Sequence, residues 1–452
     1  MAATLEKLTE TVTGNDGAPP SRTASRTEGT FAAAPNLGRS VHVVGQVENV
    51  DPNQGPHPKN SRGELGKALF NYYRNSISKD PLSRVGAGTH SADRRNVVSE
   101  ALNRAPKGDI NPDRVPVPDP EAMTRHIKAV GRYFGADIIG VARAHPSIMF
   151  AGARYSDDGT TAEGASEPDS PEELASKYPY LIIASTAWDY DKLQAHRHHV
   201  GDASYHMSQM YTNMIMKSLE GYIRELGYTA LRGTANPQAT ALAAGLGELG
   251  RNGLVISEKY GARVHMPNTI MTDLPLVAGK PIDIGVSDFC NICRKCAVTC
   301  PTNSISFGDK VVFNGVEKYK INWKTCYGLR PFVTEHWGSC LTCVTVCPFT
   351  KPNVWWRSLA VKALHTTPFS ARPLLVRALK AIDDRFWGVV RQKRVRWMGY
   401  DTGIKPGETA CTVAGCTASH EHAGNTAATV SNIGFYAPLK ENTNRFVKRD
   451  AV

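Results

Sequence analysis

Apolar residues recur every three to four positions between Asp119 and Phe134, where Met123, Ile127, Val130 and Phe134 share one side of a predicted helix. The short runs Asp137–Ala142 (DIIGVA) and Tyr180–Ser185 (YLIIAS) are apolar almost throughout, the pattern of strands buried on both faces. Between them, Tyr155–Glu173 is acidic and rich in Gly and Ser, which predicts an exposed insertion. A long helix is predicted from about Tyr205 to Leu226, with Met207, Met210, Met214, Leu219, Tyr222, Ile223 and Leu226 near helical spacing. Ala243–Gly253 (AAGLGELGRNG) predicts a helix end and tight turn leading to a strand at Leu254–Ser257; it lacks the full dinucleotide fingerprint. Shorter helical patterns at Gly63–Ser76 and Asn96–Asn103 precede the prolines at 116, 118 and 120, a linker signal.

The chain of 452 residues has room for two or three domains with full cores. It has no run of eighteen apolar residues, hence no predicted transmembrane helix. Residues 1–36 lack an apolar signal region, and Arg94-Arg95 lies too deep in polar sequence to open a twin-arginine signal, so a cytoplasmic location is expected. The formal charge of +11 is spread along the chain, apart from a cluster at Arg391, Lys393, Arg394 and Arg396. That cluster suits a solvated face or an acidic partner better than RNA.

Cysteine spacing carries the chemistry. Cys290-x2-Cys293-x2-Cys296-x3-Cys300-Pro301 is the bacterial ferredoxin signature for [4Fe–4S] binding. Cys326 stands thirteen residues before Cys340-x2-Cys343-x3-Cys347-Pro348, the same pattern with its first ligand displaced. The crossed rule of two-cluster ferredoxins gives Cys290, Cys293, Cys296 and Cys347 to one cluster and Cys326, Cys340, Cys343 and Cys300 to the other. Eight of the ten cysteines are then used. A zinc ribbon is the competing reading, but zinc does not need two runs ending in Cys-Pro. Cys411 and Cys416, with His420 and His422 nearby, read as free thiols in a cap rather than a metal site.

The order of GADIIGVAR, YIRELGY, AGLGELGRNG, TDLPL and PIDIGVSDFC ahead of the cysteine runs resembles the catalytic subunit of the corrinoid-dependent reductive dehalogenases over about residues 90–360. The segments Cys326-Tyr327-Gly328 and Val346–Lys351 (VCPFTK) carry the same resemblance. It implies an α+β fold: a nitroreductase-like α/β corrinoid-binding core at 119–285, with an insertion at about 148–178, and a bacterial ferredoxin-like domain with two [4Fe–4S] clusters at 286–360. An N-terminal wrapping extension (1–118) and a C-terminal cap (361–452) complete the expected organisation. The implied cofactors are two [4Fe–4S] clusters and cobalamin or a related corrinoid. No Asp-x-His-x-x-Gly offers a histidine to cobalt, which agrees with a base-off corrinoid.

The resemblance further implies reductive cleavage of a carbon–halogen bond of an organohalide, with a tyrosine as proton donor. Tyr205 and Tyr211 are the candidates; Tyr205, expected at the start of the long helix, lies about one turn from the family position and Tyr211 half a turn. Arg263 or His265 stands where the family carries a cation for the phenolate, and Asn236 stands near a polar pocket position. Gly245, Gly247, Arg251 and Asn252 are candidate cofactor contacts within AGLGELGRNG. An external low-potential donor (ferredoxin, flavodoxin or reductase) and a membrane-anchor subunit are the expected partners; nucleic acid is not. The runner-up is an epoxyqueuosine reductase-like tRNA-modifying enzyme, against which Ser204 stands where that family has an acid. A non-catalytic electron carrier would leave the α/β region without a role.

Overall fold

The computed structural model describes residues 34–51, most of 101–388, and a few positions near 60 and 400; segments 152–169 and 334–339 and some single positions within that span lie outside the description. The expected helices at 63–76 and 96–103 fall almost wholly outside the described residues, and His265, Cys411 and Cys416 lie outside them.

Helix α1 (Pro120–Tyr133) starts where the sequence signals it: the Asp119 carboxylate accepts the N–H groups of Glu121 and Ala122, with Pro120 in the first turn. It leads into β2 (Ile138–Arg143), β1 being the short upstream strand His42–Val43. Helix α2 (Pro171–Lys177) then precedes β3 (Tyr180–Ser185). Helix α2 begins within the stretch 155–173 expected to be an exposed insertion; it is held by a full Ser170/Glu173 capping box and buries Leu174 and Ala175 just beyond that stretch. After a short turn of helix, α3 (Tyr190–Leu193), comes α4 (His199–Glu225), followed by β4 (Ala230–Arg232) and α5 (Pro237–Ala243). Strands β5 (Glu248–Leu249) and β6 (Val255–Ile256) form a small antiparallel hairpin, and β7 (Ile270–Thr272) closes the core.

The main sheet has the order β2-β3-β7-β4, with every neighbouring pair antiparallel. Alternate residues of β3 feed opposite cores: Leu181 and Ile183 pack with Leu242, Leu231 and Met271, while Ile182 and Ala184 pack with Ile127, Ile215, Leu219 and Ile223. Helices α1 and α4 therefore cover one face and α5 the other, which explains why the strands are apolar without alternation.

One boundary differs from expectation in a way that matters. Helix α4 begins at His199, so Tyr205 lies inside its second turn rather than at its start. The added turns are mostly polar, which hid them from an apolar-periodicity reading, but Val200 and Ala203 are buried and Asp202 pairs with His206 one turn on.

Helices α6 (Val286–Cys293), α7 (Lys295–Thr299), α8 (Trp323–Val333) and α9 (Thr342–Thr345) carry the cysteine runs. Two of the three Cys-x2-Cys turns, Cys293–Cys296 and Cys340–Cys343, pass through a left-handed residue, Arg294 (φ 51°) and Leu341 (φ 53°). A leucine in that region is uncommon and costs of order 1 kcal/mol or more, so the turn is held by its surroundings. Strands β8 (Val311–Phe313) and β9 (Val316–Lys318) form a hairpin to which β1 adds, giving the order β1-β9-β8. The segment around β1 also ties regions together: Ser40 Oγ accepts the Leu249 N–H, and Arg39 meets Asp283 and Asp288. Helices α10 (Trp355–Thr366) and α11 (Arg372–Phe386) follow, with Arg372 joining the same two aspartates. No helix among the described residues is long and apolar enough to cross a membrane.

Candidate cluster and catalytic sites

All eight cysteines of the two runs are free thiols, with Cys293 buried and the others partly so. Burial pushes the Cys290 thiol up to about 12, and the charge of Cys347 adds to it. Cys293 rises for the same reason, with Cys290 and Cys347 as its sulfur neighbours, and Cys296 feels Cys290, Cys293, Cys343 and Cys347. Cys343 is raised by burial and further by the charges of Cys326, Cys340, Cys300 and Cys347. The charges of the two runs are thus felt across both: Cys347 acts on Cys290, Cys293 and Cys296, and Cys300 acts on Cys343.

Zinc would draw its thiolates to about 2.3 Å from one point. Among the described residues no group of three or more Cys, His, Asp or Glu side chains converges so. A cage of four irons and four sulfides needs its thiolates spread around a larger body, and buried donors aimed at sulfur. The donors are present. Arg251 N–H points at Cys290 Sγ (3.5 Å), and Ser304 N–H at Cys300 Sγ (3.3 Å), with the Thr302 hydroxyl 3.4 Å from the same sulfur. The residues present fit iron–sulfur clusters.

Tyr205 is half-buried on α4, edge-on to Trp188 (centroids 5.0 Å) and to His206 (4.9 Å). Its hydroxyl oxygen accepts a hydrogen bond from Gln209 Nε2 at 2.8 Å. Gln209 Oε1 lies 3.2 Å from His206 Nδ1, and His206 Nε2 lies 3.3 Å from Asp202. Gln209 was not singled out by sequence reasoning; its signal is the one-turn spacing from Tyr205. Tyr211, in contrast, is 47% exposed, beside the exposed Met214.

Arg263 is buried and donates from Nη1 to the Trp188 carbonyl at 2.5 Å, while Trp188 N–H returns a bond to the Arg263 carbonyl. Its guanidinium lies 5.1 Å from the Tyr260 ring. Burial pulls its pKa down, opposed by the charges of Tyr260, Asp137, Asp189 and Tyr190. Burial also pushes Tyr190 up to about 12. Arg263 and Tyr205 therefore share Trp188 as a neighbour. Asn236 is exposed and caps α5, its Oδ1 accepting the N–H groups of Gln238 and Ala239.

The four residues expected at a cofactor divide into two pairs. A Cβ at Gly245 (φ 74°) would meet the Lys280 carbonyl and one at Gly247 the Ile256 carbonyl, so both glycines permit close approach of this chain's own backbone. Arg251 and Asn252 instead face the cluster loops: Asn252 Nδ2 reaches the Cys343 carbonyl, and Arg251 Nε the Cys290 carbonyl. For a corrinoid, the relevant observation is a set of buried donors with no hydrogen-bond acceptor among the described residues: Trp188 Nε1, Arg263 Nε and the Thr269 hydroxyl. A ligand rimmed with amide carbonyls fits such donors.

The two regions meet. Trp188, Leu193, Phe289, Cys293, Val344 and Phe349 form one apolar cluster, against which Tyr205, Cys290, Cys343 and Cys347 pack. Thr350 Oγ1 also accepts the Ala262 N–H, next to Arg263.

This arrangement defines an iron–sulfur protein, and residues 289–351 match the family described as 4Fe-4S dicluster domain. Beyond that segment the chain is 31% identical over 267 residues to the tetrachloroethene reductive dehalogenase of Sulfurospirillum multivorans, covering 52% of this chain and 52% of that protein. It is 27% identical over 159 residues to the epoxyqueuosine reductase of Lactococcus garvieae, covering 33% of this chain and 43% of that protein. Among solved structures, the catabolic reductive dehalogenase NpRdhA superposes with a TM-score of 0.63 at 23% identity, covering 79% of this chain and 50% of that one, which shows a shared fold. The chain is similar to reductive dehalogenases over this stretch, and it spans about half the length of the curated relative it matches over 267 residues.

Proposed function

We propose that the chain is a reductive dehalogenase that replaces a carbon–halogen bond of an organohalide by carbon–hydrogen, using a corrinoid and two [4Fe–4S] clusters. The observation carrying this reading is the shared apolar cluster that packs Tyr205 against the cysteine loops. Packing of Tyr205 and the cysteine loops against the same buried residues supports reading them as the acid and the electron-delivery site of one centre. The balanced reaction is R–X + 2 e⁻ + H⁺ → R–H + X⁻, with electrons from an external low-potential donor. When bound, a corrinoid supplies a cobalt centre able to give electrons to the carbon–halogen bond. Cys290, Cys293, Cys296 and Cys347 hold one cluster; Cys300, Cys326, Cys340 and Cys343 hold the other.

Tyr205 gives the proton. Gln209 donates to its oxygen, and that N–H stabilises negative charge on the oxygen as the proton leaves. Arg263 fixes Trp188, which orients the Tyr205 ring, and its cationic head adds positive potential nearby. Trp188 Nε1 and Thr269 are available to the amide rim of the corrinoid. The core is taken as nitroreductase-like, and the corrinoid as base-off because no Asp-x-His-x-x-Gly supplies a lower ligand.

The test is anaerobic turnover of reconstituted protein on a panel of aryl, vinyl and alkyl halides, read as halide release. Release on at least one class supports the proposal. No release from chain loaded with corrinoid and about eight iron, together with reduction of epoxyqueuosine in tRNA, would assign the runner-up function. Paramagnetic resonance of the cobalt(II) form should lack splitting from one axial nitrogen, and clear splitting would contradict the base-off state.

A further inference from the structure

Arg251 is among the largest fully buried side chains of the molecule, 1% exposed, and no step above uses its charge. Its Nη1 donates to the carbonyls of Ser306 (2.9 Å) and Gly308 (2.6 Å), its Nε to the Cys290 carbonyl (3.1 Å), and its backbone N–H to Cys290 Sγ (3.5 Å). The guanidinium stacks 4.0 Å from the Tyr319 ring, whose hydroxyl is tied to Asn291 between two ligand cysteines. Nη2 is buried and has no hydrogen-bond partner among the described residues. A guanidinium cannot shed its proton in a protein, so a full positive charge with a spare donor lies beside the first cysteine of one set.

The two sets differ in this respect. Around Cys300 and Cys340 the close donors are neutral: the Ser304 N–H and the hydroxyls of Thr302 and Thr342. Beside the Cys290 set, Lys295 is a second buried cation, but Asp383 and Asp384 of α11 neutralise it. Lys351 is a third, 3.8 Å from Asp383. Glu248 is the opposing charge in the wall near Arg251; its carboxylate is held by the N–H groups of Ile284 and Val286, and burial pushes its pKa up. Arg251 differs from Lys295 and Lys351 in that its side chain bonds to the backbone of a ligand cysteine and, among the described residues, forms no ion pair with a carboxylate.

We propose that Arg251 raises the reduction potential of the cluster held by Cys290, Cys293, Cys296 and Cys347 above that of its partner, making it the cluster from which electrons leave for the active site. The inference rests on the cluster reading above. Adding an electron makes a cluster more negative, and a fixed cation and N–H donors in a low-dielectric wall favour that state. The partner cluster, with neutral donors at Cys300 and Cys340 among the described residues, then serves as the entry point, and electron flow toward the catalytic side is downhill.

The experiment is a potentiometric titration of reconstituted, corrinoid-free protein, followed by paramagnetic resonance, for wild type, Arg251→Gln and Arg251→Lys. Iron and sulfide content, about eight of each per chain, is measured first; a shortfall in wild type condemns the two-cluster reading rather than this inference. With content intact, Arg251→Gln should lower the potential of one cluster by at least a tenfold change in its reduced-to-oxidised ratio, 59 mV for one electron. Arg251→Lys should keep most of the wild-type value. A Gln variant that retains both clusters with unchanged potentials overturns the proposal. So does an equal shift in Gln and Lys variants, because that would mark a merely structural loss of the anchor to Ser306 and Gly308. Should the Gln variant fail to hold iron, the wild-type order decides: the cluster missing from Cys296→Ala must be the one reduced at the higher potential, and the opposite order overturns the proposal.

Discussion

Removing the Tyr205 hydroxyl isolates the proton-transfer step from the rest of the machinery. Tyr205→Phe keeps the ring against Trp188 and His206, so packing is nearly conserved and only the O–H is lost. A positioned general acid contributes roughly 10²–10⁴ in rate, about 3–5 kcal/mol of barrier. Gln209 sets a second, smaller scale. Its N–H bond to the phenol oxygen at 2.8 Å is a neutral bond of about 0.5–1.5 kcal/mol before transfer and a charge-assisted one of about 1.5–3 kcal/mol after it. The difference, about 1–1.5 kcal/mol, makes Gln209→Leu slower by roughly five- to twelvefold. Tyr211→Phe, at an exposed position, should leave turnover unchanged. The assay is anaerobic halide release under excess chemical reductant, with corrinoid and iron content of every variant matched. If Tyr211→Phe abolishes turnover while Tyr205→Phe stays active, the reasoning is refuted and the donor moves to Tyr211.

Three further outcomes follow from the same contacts. Cys300→Ala should remove the cluster of Cys326, Cys340 and Cys343 and spare that of Cys290, Cys293 and Cys296, as read by iron content and resonance line shape; loss of the other cluster would break the crossed assignment. Lys295→Met leaves Asp383 facing a buried site without its main partner, which should cost about 3–5 kcal/mol; hydrogen exchange should locate the loosening in Arg372–Phe386, and an unchanged melting temperature would contradict the pairing. Stripping iron with a chelator should raise hydrogen exchange at Trp188, Leu193 and Tyr205 because they pack on the same cluster as Cys293, Val344 and Phe349; exchange confined to the cysteine loops would show the two regions to be uncoupled.

Much of this was legible in order along the chain, and the parts that were not have physical causes. Helix α1 and strands β2 and β3 announce themselves because one stripe or both faces are buried, which leaves an apolar pattern. The first turns of α4 escaped because their stabilisation is largely polar, as in the Asp202–His206 pair, and that shift moved Tyr205 from the helix start to its interior. Helix α2 hid in an acidic stretch because a capping box, not a long apolar stripe, defines it. The crossed grouping of the cysteines is read from spacing alone, as a property of the repeat. The functions of Arg251 and Gln209 were less visible. Arg251 was marked within a Gly-rich turn, but its partners stand 39 and more residues away. Gln209 carries no signal beyond helical spacing. Asn236 was singled out by its nearness to a polar pocket position of the resembled family, and its side-chain oxygen serves the start of α5.

The central claim meets its most direct test in electron counting. Chain loaded with corrinoid and clusters is reduced, freed of excess reductant and mixed anaerobically with an organohalide it turns over. Halide released and electrons lost from the protein are then measured in the same sample. The account predicts one halide and one hydrogen-substituted product for every two electrons lost, with Tyr205→Phe releasing far less halide on the same time scale at equal loading. Halide release without electron loss, as in hydrolytic displacement with an alcohol product, would contradict it.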